Sequence, residues 1–113
     1  MSDVPAIDTG CAEIVTRNLP ALAALCRQFG VRRLDLFGSA ATGRFDTDQS
    51  DLDFLVEFEA PARTAYAHAY FGLLAALEKL FGRPVDLLTL ASLKNPYLRR
   101  RLLTERRLVF SAR

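Results

Sequence analysis

Residues 51–58 form an apolar run that carries acidic side chains at alternate positions. One set of alternate positions is entirely apolar, namely Leu52, Phe54, Val56 and Phe58. The other set begins with Asp51 and Asp53. A period of two is typical of a β-strand, because successive side chains of a strand point to opposite faces. The pattern therefore predicts a strand with one apolar face, and it places Asp51 and Asp53 about 7 Å apart on the other face.

The rest of the chain alternates between helical and strand patterns. The further predicted elements are a helix over 11–29, a strand over 32–37, a helix over 62–81, a strand over 85–89, a short helix near 96–104 and a final apolar stretch over 108–110. Pro20 either starts a second helix at its first turn or kinks one long helix. This order predicts an α/β (α+β) fold in which helices flank one small mixed sheet of about three to four strands.

The length and the composition indicate a single domain over residues 1–113. Half of the 113 residues are hydrophobic and 25% are charged, which is enough for one modest core and too little for two. No apolar run reaches the roughly 18 residues that a membrane span needs, and residues 1–8 lack a basic segment typical of a secretory signal. Cys11 and Cys26 fit no metal-ligand spacing, which favours a cytoplasmic protein with reduced thiols.

Charge is unevenly distributed along the chain. Residues 46–59 contain six acidic and no basic residues, whereas residues 94–113 contain seven Lys or Arg and one Glu. A basic end is compatible with nucleic-acid binding or with a solvated helix face. Aromatic residues are not interleaved with the basic ones as in a base-stacking platform. Because no DNA-reading motif is recognisable either, duplex DNA is not an expected partner. We expect the basic segment 94–107 to contact an acidic or phosphorylated partner instead.

Three carboxylates on two predicted strands indicate a metal site. Two ionised carboxylates on one strand face repel each other, and a divalent cation removes that repulsion. Mg²⁺ prefers oxygen ligands, usually one or two carboxylates together with substrate phosphates. Asp86, the only charge in its apolar strand, joins Asp51 and Asp53 if the two strands are neighbours in register. These three residues are therefore candidate metal ligands and catalytic residues, with Asp86 as general base or second-metal ligand for a hydroxyl nucleophile.

The loop after the first predicted strand has the composition of a phosphate-binding segment. Gly38 allows the backbone to approach a ligand closely, and the Ser39 hydroxyl with neighbouring amides can donate hydrogen bonds to phosphate oxygens. Gly43 and Arg44 continue the loop, and Arg44 is a candidate phosphate clamp. The stretch 36–58 therefore combines candidate phosphate ligands with candidate metal ligands, as a nucleotide site requires.

A calcium-binding loop is an alternative interpretation of the same acidic segment. Four oxygen-bearing residues match positions 1, 3, 5 and 12 of the EF-hand pattern, namely Asp46, Asp48, Ser50 and Glu57. That pattern requires glycine at position 6, where Asp51 stands, and a helix afterwards, where residues 54–58 predict a strand. Both requirements disfavour the calcium loop.

The combination of Gly38-Ser39, Asp51-x-Asp53 and the strand-borne Asp86 resembles the DNA polymerase beta-like nucleotidyltransferase superfamily. The stretch LFGSAATGRFDTDQSDLDFLVEF is similar to its minimal nucleotidyltransferases, known as MntA-type antitoxins. The resemblance covers roughly residues 20–110. It implies the polymerase beta-like fold, with Gly38 and Ser39 on the triphosphate of ATP, Mg²⁺ on Asp51 and Asp53, and Asp86 as the third carboxylate.

The resemblance also implies an activity and a partner. It implies a Mg²⁺-dependent enzyme that transfers AMP from ATP to a hydroxyl, most simply a tyrosine of a cognate HEPN-domain toxin. The chain would then be the antitoxin of the pair and form a hetero-oligomer with the toxin. The alternative is an antitoxin that neutralises its partner by binding alone, with a weak or vestigial nucleotide site. Thr42 stands where the family usually has arginine and favours this alternative, whereas the three retained aspartates disfavour it.

Overall fold

The structure is a computed structural model that describes residues 13–38, 52–59 and 63–112. Its helices are α1 (Glu13–Thr16), α2 (Leu19–Gln28), α3 (Arg63–Phe81) and α4 (Pro96–Glu105), with a short 3₁₀ helix at Leu90–Ser92. Its strands are β1 (Val31–Phe37), β2 (Leu52–Phe58), β3 (Val85–Leu88) and β4 (Arg107–Ser111). Every predicted element that falls within the described residues is therefore present.

The four strands form one mixed sheet in the order β3-β2-β1-β4. Strand β1 pairs antiparallel with both β2 and β4, while β2 and β3 run parallel and are connected by α3. The predicted α+β fold with a small mixed sheet is confirmed. The edge strand β4 corresponds to the apolar stretch 108–110, which is too short to be assigned to a strand from its pattern alone.

The predicted helix over 11–29 is two helices in the structure. Helix α1 ends at Thr16, and α2 begins at Leu19 with Pro20 in its first turn. A proline is tolerated there because the first backbone N–H groups of a helix have no intrahelical partner. Of the two alternatives for Pro20, the start of a second helix is therefore correct. After α2, Gly30 adopts a φ of +69°, a conformation typical of the glycine that follows the end of a helix.

One face of the sheet carries the main core. The apolar side chains of β2 are buried there against α2 and α3, and the fully buried residues include Leu22, Leu34, Leu36, Leu52, Phe54, Leu73 and Leu77. The Phe54 and Phe81 rings stack with their centroids 5.9 Å apart. The apolar face that the alternation in residues 52–58 predicts for β2 therefore packs against the helices, as expected.

The other face of the sheet carries a smaller cluster. Phe37 and Leu55 pack there with Leu93, which follows the 3₁₀ helix, and with Leu102 of α4. Since side chains alternate along a strand, this is also the face of Asp53, two residues before Leu55. Helix α4 thus covers part of the sheet face that carries the acidic residues.

Candidate functional site

Asp53 and Asp86 are direct neighbours on the parallel strands β2 and β3. Neighbouring strands lie about 4.8 Å apart, and residues paired in register point to the same face. Asp53 is half-buried and Asp86 is exposed. The sequence predicts that Asp86 joins Asp53 if their strands are neighbours in register. The structure meets this condition. Their roles in catalysis and metal binding remain predictions.

Gly38 lies against the carboxylate of Asp53. The preceding residue, Phe37, pairs with Asp53 across the antiparallel β1–β2 ladder. Gly38 adopts a φ of +72°, and a Cβ atom added to it would lie 2.5 Å from Oδ2 of Asp53. Glycine is required here both by the backbone conformation and by the close approach. The end of β1 is therefore shaped so that backbone and carboxylate meet without an intervening side chain.

Four of the predicted site residues lie outside the described residues. They are Ser39, Gly43, Arg44 and Asp51. Within residues 13–38, 52–59 and 63–112, no group of three or more His, Cys, Asp or Glu residues is placed to hold a metal ion. The described part of the site thus contributes two neighbouring carboxylates and Gly38, and the convergence of Asp51 on them remains a prediction.

The donor set of this part of the site fits a hard divalent cation. Asp53 and Asp86 offer carboxylate oxygens, the ligands that Mg²⁺ prefers, and the number matches the one or two carboxylates usual for Mg²⁺ bound with a nucleotide. The close approach of the Gly38 backbone to Asp53 brings the start of the predicted phosphate-binding loop next to a candidate metal ligand. Asp53 and Asp86 are therefore the described residues that could hold a metal.

Helix α3 holds β3 at two points around Asp86. The hydroxyl of Tyr70 donates a hydrogen bond to the carbonyl oxygen of Leu87, and the backbone N–H of Val85 donates to Oε2 of Glu78 at 3.2 Å. Burial, followed by Tyr66 and the charge of Asp86, raises the pKa of Tyr70 above its usual value. Tyr70 therefore remains a neutral hydrogen-bond donor at physiological pH.

Tyr70 also lines a cleft at the outer edge of β3. The cleft has a volume of about 260 Å³ and is lined by Tyr66, Tyr70, Leu87, Leu88, Thr89 and Ser92. The sequence patterns do not single out Tyr70 or Glu78 as supports of the site. Their separation of eight residues, which places them near one side of a helix, is the signal that could have done so.

Asp35, another acidic residue on the same sheet face, forms ion pairs with two arginines. It is 1% exposed and accepts hydrogen bonds from Arg33 at 2.9 and 3.0 Å, and Arg106 lies 3.5 Å from its Oδ2. The hydrogen bonds with Asp35 raise the pKa of Arg33. Like Asp86, Asp35 is the only acid of its strand, but Arg33 stands two residues before it on the same face. Its ion pairs exclude it from the candidate metal ligands.

A model of the nucleotidyltransferase domain family matches residues 21–109. The match spans most of the chain and includes both neighbouring aspartates. The chain belongs to the nucleotidyltransferase domain family. The predicted superfamily and the predicted enzyme class, a nucleotidyltransferase, are both confirmed.

Individual relatives of this nucleotidyltransferase agree with the family match. A Methanocaldococcus jannaschii protein, whose name describes it as a candidate protein adenylyltransferase, is 38% identical over 73 residues, covering 65% of this chain and 71% of the relative. A solved structure described as a candidate minimal nucleotidyltransferase is 32% identical, with a TM-score of 0.62, and the alignment covers 88% of this chain and 97% of the other.

A more distant structure shares the fold of this nucleotidyltransferase. It is a complex of tri-AMPylated Shewanella oneidensis HEPN toxin with MNT antitoxin, matched with a TM-score of 0.53 at 21% identity over 86% of this chain and 72% of the other. Among the residues that the structure describes, no helix is long and apolar enough to cross a membrane.

Proposed function

We propose that the protein transfers AMP from ATP to a hydroxyl group of a partner protein. The observation that carries the proposal is the pairing of Asp53 with Asp86 beside the bare backbone of Gly38, in a member of the nucleotidyltransferase family. The relative named for protein adenylyltransfer, at 38% identity, supports a protein as the acceptor.

In this proposal Asp51 and Asp53 hold the Mg²⁺ that binds with ATP, and Asp86 serves the acceptor hydroxyl as general base or second-metal ligand. Gly38, Ser39, Gly43 and Arg44 bind the triphosphate. Bound Mg²⁺ supplies positive charge that offsets the negative charge on the triphosphate and on the departing pyrophosphate. Backbone amides after Gly38 and the Arg44 guanidinium orient the phosphate oxygens. The close approach of Asp53 to Gly38 joins the two halves of the proposed site, because the carboxylate lies against the residue that precedes Ser39.

Asp86 is the proposed general base. The acceptor hydroxyl oxygen forms a bond to the α-phosphorus of ATP, the bond from that phosphorus to the oxygen bridging the β-phosphate breaks, and pyrophosphate leaves. The hydroxyl proton passes to the carboxylate of Asp86. Asp86 is exposed whereas Asp53 is half-buried, so Asp86 is the carboxylate that a hydroxyl on a large partner can reach.

The proposed acceptor is a tyrosine of a HEPN-domain toxin, for which this protein is the antitoxin. The shared fold with the MNT antitoxin of an AMPylated HEPN toxin supports this choice. The residues that the structure describes form one four-stranded sheet with its helices. A protein acceptor brings its own binding surface, which makes a stable hetero-oligomer with the toxin the expected assembly.

Asparagine substitutions test the reaction. Asp53→Asn and Asp86→Asn remove one charge each while preserving the shape of the side chain. Since charge stabilisation at a phosphoryl group contributes several kcal/mol, and each 1.36 kcal/mol is tenfold in rate, transfer should fall about a hundredfold or more. The measurement is the transfer of radiolabel from α-labelled ATP to the purified HEPN protein. The matched control is Glu59→Gln, an exposed acid beyond the other end of β2.

Thermal melts and toxin protection complete the test. We expect Asp86→Asn to keep its ATP affinity, because its proposed task concerns the acceptor hydroxyl, and we expect Asp53→Asn to lose Mg²⁺-dependent ATP binding. Suppose that both variants melt like the parent and protect cells from the toxin equally well. Catalysis is then dispensable, and the alternative of an antitoxin that acts by binding alone, which Thr42 favours, is the correct one.

A further inference from the structure

Helix α4 buries very little of its own surface. Leu102 is its one buried residue, whereas Tyr97, Leu98 and Leu103 are 84%, 45% and 36% exposed. A helix that packs on a sheet normally buries three to four apolar residues in every two turns. Helix α4 therefore leaves three large apolar side chains in contact with water although it already lies on the sheet.

The exposed side of α4 combines an aromatic ring with arginines. Tyr97, Arg100, Arg101 and Thr104 stand at positions i, i+3, i+4 and i+7, which share one side of a helix, and all four are exposed. We name these four residues the α4 outer face. Exposed tyrosine and arginine are the residue types that dominate the energetic centres of protein interfaces.

Most of the positive charge of this helix is not neutralised. Arg101 forms an ion pair with Glu105 at 3.3 Å. Arg99 and Arg100 form no ion pair with any residue in the parts of the chain that the structure describes. The acids that would match them are therefore expected on a partner.

Helix α4 packs on the sheet face that carries the paired aspartates. Its buried Leu102 packs in one cluster with Phe37 and Leu55. Phe37 is the antiparallel partner of Asp53, and Leu55 is the next residue of β2 on the same face. A molecule bound to the exterior of α4 is therefore held on the side of the sheet that carries Asp53 and Asp86.

We propose that the α4 outer face is the docking surface for the acceptor protein and that this protein presents acidic side chains around an apolar contact. The inference rests on the proposed function, since it names the surface through which the acceptor of that reaction is held. Charge complementarity to Arg100 and Arg101 selects an acidic partner. The exposed ring of Tyr97 selects a protein, because a phosphate backbone offers no apolar counterpart and one tyrosine is not a stacking platform for bases.

The proposal is tested by binding of the purified HEPN protein to the full chain and to α4 variants. Tyr97→Ala and the double variant Arg100→Glu/Arg101→Glu should each raise the Kd for the HEPN protein about tenfold or more, as expected for central interface residues. The Kd for Mg²⁺-ATP should be unchanged. The matched control is Arg17→Glu, an exposed arginine between α1 and α2, which should keep the Kd for the HEPN protein within about twofold.

Transfer kinetics provide a second readout. Because these side chains are exposed, the α4 variants should melt like the parent protein. Their weaker binding of the acceptor should raise the KM for the acceptor, with kcat retained at saturating acceptor. Unchanged Kd values in the α4 variants overturn the proposal, and so does a parent protein that does not bind the HEPN protein at all.

Two further outcomes separate the possible failures. The first outcome is measured with a 20-nucleotide single-stranded RNA. If this RNA binds the parent and binds the α4 variants more weakly, while the Kd for the HEPN protein is unchanged, the surface is a nucleic-acid site and the proposal is overturned. In the second outcome the parent transfers no AMP, but the α4 variants still bind the HEPN protein more weakly than the parent does. The docking surface is then supported and the proposed reaction is wrong.

Discussion

Among the glycines that the structure describes, Gly38 combines a positive φ with a close contact that an added side chain would disturb. Its φ of +72° lies in the left-handed region, which costs other L-residues about 1–2 kcal/mol. An added Cβ would also lie 2.5 Å from Asp53. Backbone strain and contact with the carboxylate thus coincide at one position. Gly30 adopts a similar φ of +69° with nothing within 4 Å of an added Cβ, so the two effects can be separated.

We expect Gly38→Ala to lower both stability and transfer. The free energy of unfolding should fall by about 1–2 kcal/mol from backbone strain, and displacement of Asp53 should reduce AMP transfer at least tenfold. Gly30→Ala should lose a similar amount of stability and retain its transfer rate. Urea unfolding and the radiolabel assay measure the two quantities. Equal transfer rates in both variants would contradict a role for the Gly38–Asp53 contact.

Cys26 is buried in the main core with no exposed surface. Burial raises the pKa of its thiol to about 12, against the opposing charge of Arg27. The thiol is therefore neutral in the folded protein at all physiological pH values, which agrees with the expectation of a reduced, unreactive cysteine.

The raised pKa predicts a loss of stability at alkaline pH. Below pH about 9 both folded and unfolded thiols are protonated, and the contribution of Cys26 to stability is fully present. Between pH about 9 and 12 only the unfolded thiol ionises, so stability falls by about 1.4 kcal/mol per pH unit. Urea unfolding of the parent and of Cys26→Ala at pH 8 and 10 isolates this effect, since Cys11 is common to both. A difference between the two proteins that is independent of pH would refute it.

Among the elements, β3 depends on support from α3. It is an edge strand, and its outer backbone groups would otherwise be open to pairing with another chain. Tyr70 bonds to the carbonyl of Leu87, and Glu78 accepts from the N–H of Val85. Both contacts adjoin Asp86, so α3 fixes the position of the proposed general base as well as protecting the edge.

Tyr70→Phe removes one of these contacts and keeps the ring. We expect a loss of about 1 kcal/mol in the free energy of unfolding, the usual net value of a hydrogen bond between neutral groups. Tyr97→Phe, at a residue that is 84% exposed, should leave stability unchanged. Parallel denaturant titrations compare the two variants, and equal losses would show that the hydroxyl of Tyr70 contributes nothing specific.

Helix α4 depends on its N-terminal cap because it buries only Leu102. The side chain of Asn95 accepts hydrogen bonds from the backbone N–H groups of Tyr97 at 2.9 Å and of Leu98 at 3.2 Å. These bonds satisfy donors that have no partner within the helix. The cap therefore supports the same turn that carries the exposed Tyr97.

We expect Asn95→Ala to cost about 1 kcal/mol and to act on α4 first. Backbone amides of α4 should exchange hydrogen about fivefold faster, while amides of β1 and β2 should change less. Asn95→Asp retains a capping oxygen and adds favourable charge at the helix N-terminus, so its exchange should resemble that of the parent. Uniform acceleration over the whole chain would contradict a local role.

In the whole molecule, Asp35 links β1 to the end of α4. Arg33 of β1 and Arg106, which follows α4, both contact the buried carboxylate. The ion pairs tie the sheet to the helix that covers its acidic face. By contrast, the pair between Arg32 and Glu57 lies at the surface, with side chains 54% and 31% exposed.

Asp35→Ala should destabilise the entire fold. Removing one partner of a buried ion pair typically costs 3–5 kcal/mol, and we expect about 3 kcal/mol because the side chain of Arg33 is 36% exposed and stays partly hydrated. Glu57→Gln, which breaks the surface pair, should cost less than about 1 kcal/mol. Thermal melts and urea titrations provide the comparison. Similar losses for the two variants would mean that Asp35 acts as a surface charge.

Local patterns were enough to predict most of the fold. The period of two in residues 52–58 predicts both the strand and the face that it buries, because alternation is a property of the extended backbone itself. Pro20 and Gly30 likewise mark helix ends through their own backbone constraints. The acidic pattern around Asp53 and Asp86 and the glycine at position 38 were sufficient to identify the nucleotidyltransferase family before any contact was known.

Only the tertiary structure decides which of the acids on the strands can take part in the candidate site. Asp35 and Asp86 are each the only acid of their strand, yet Asp35 is bound by Arg33 and Arg106 whereas Asp86 stands beside Asp53. Strand order and register depend on how helices and strands distant in the chain pack together, and no local period encodes them. The same packing made a strand of residues 107–111 and left the arginines of α4 facing outward.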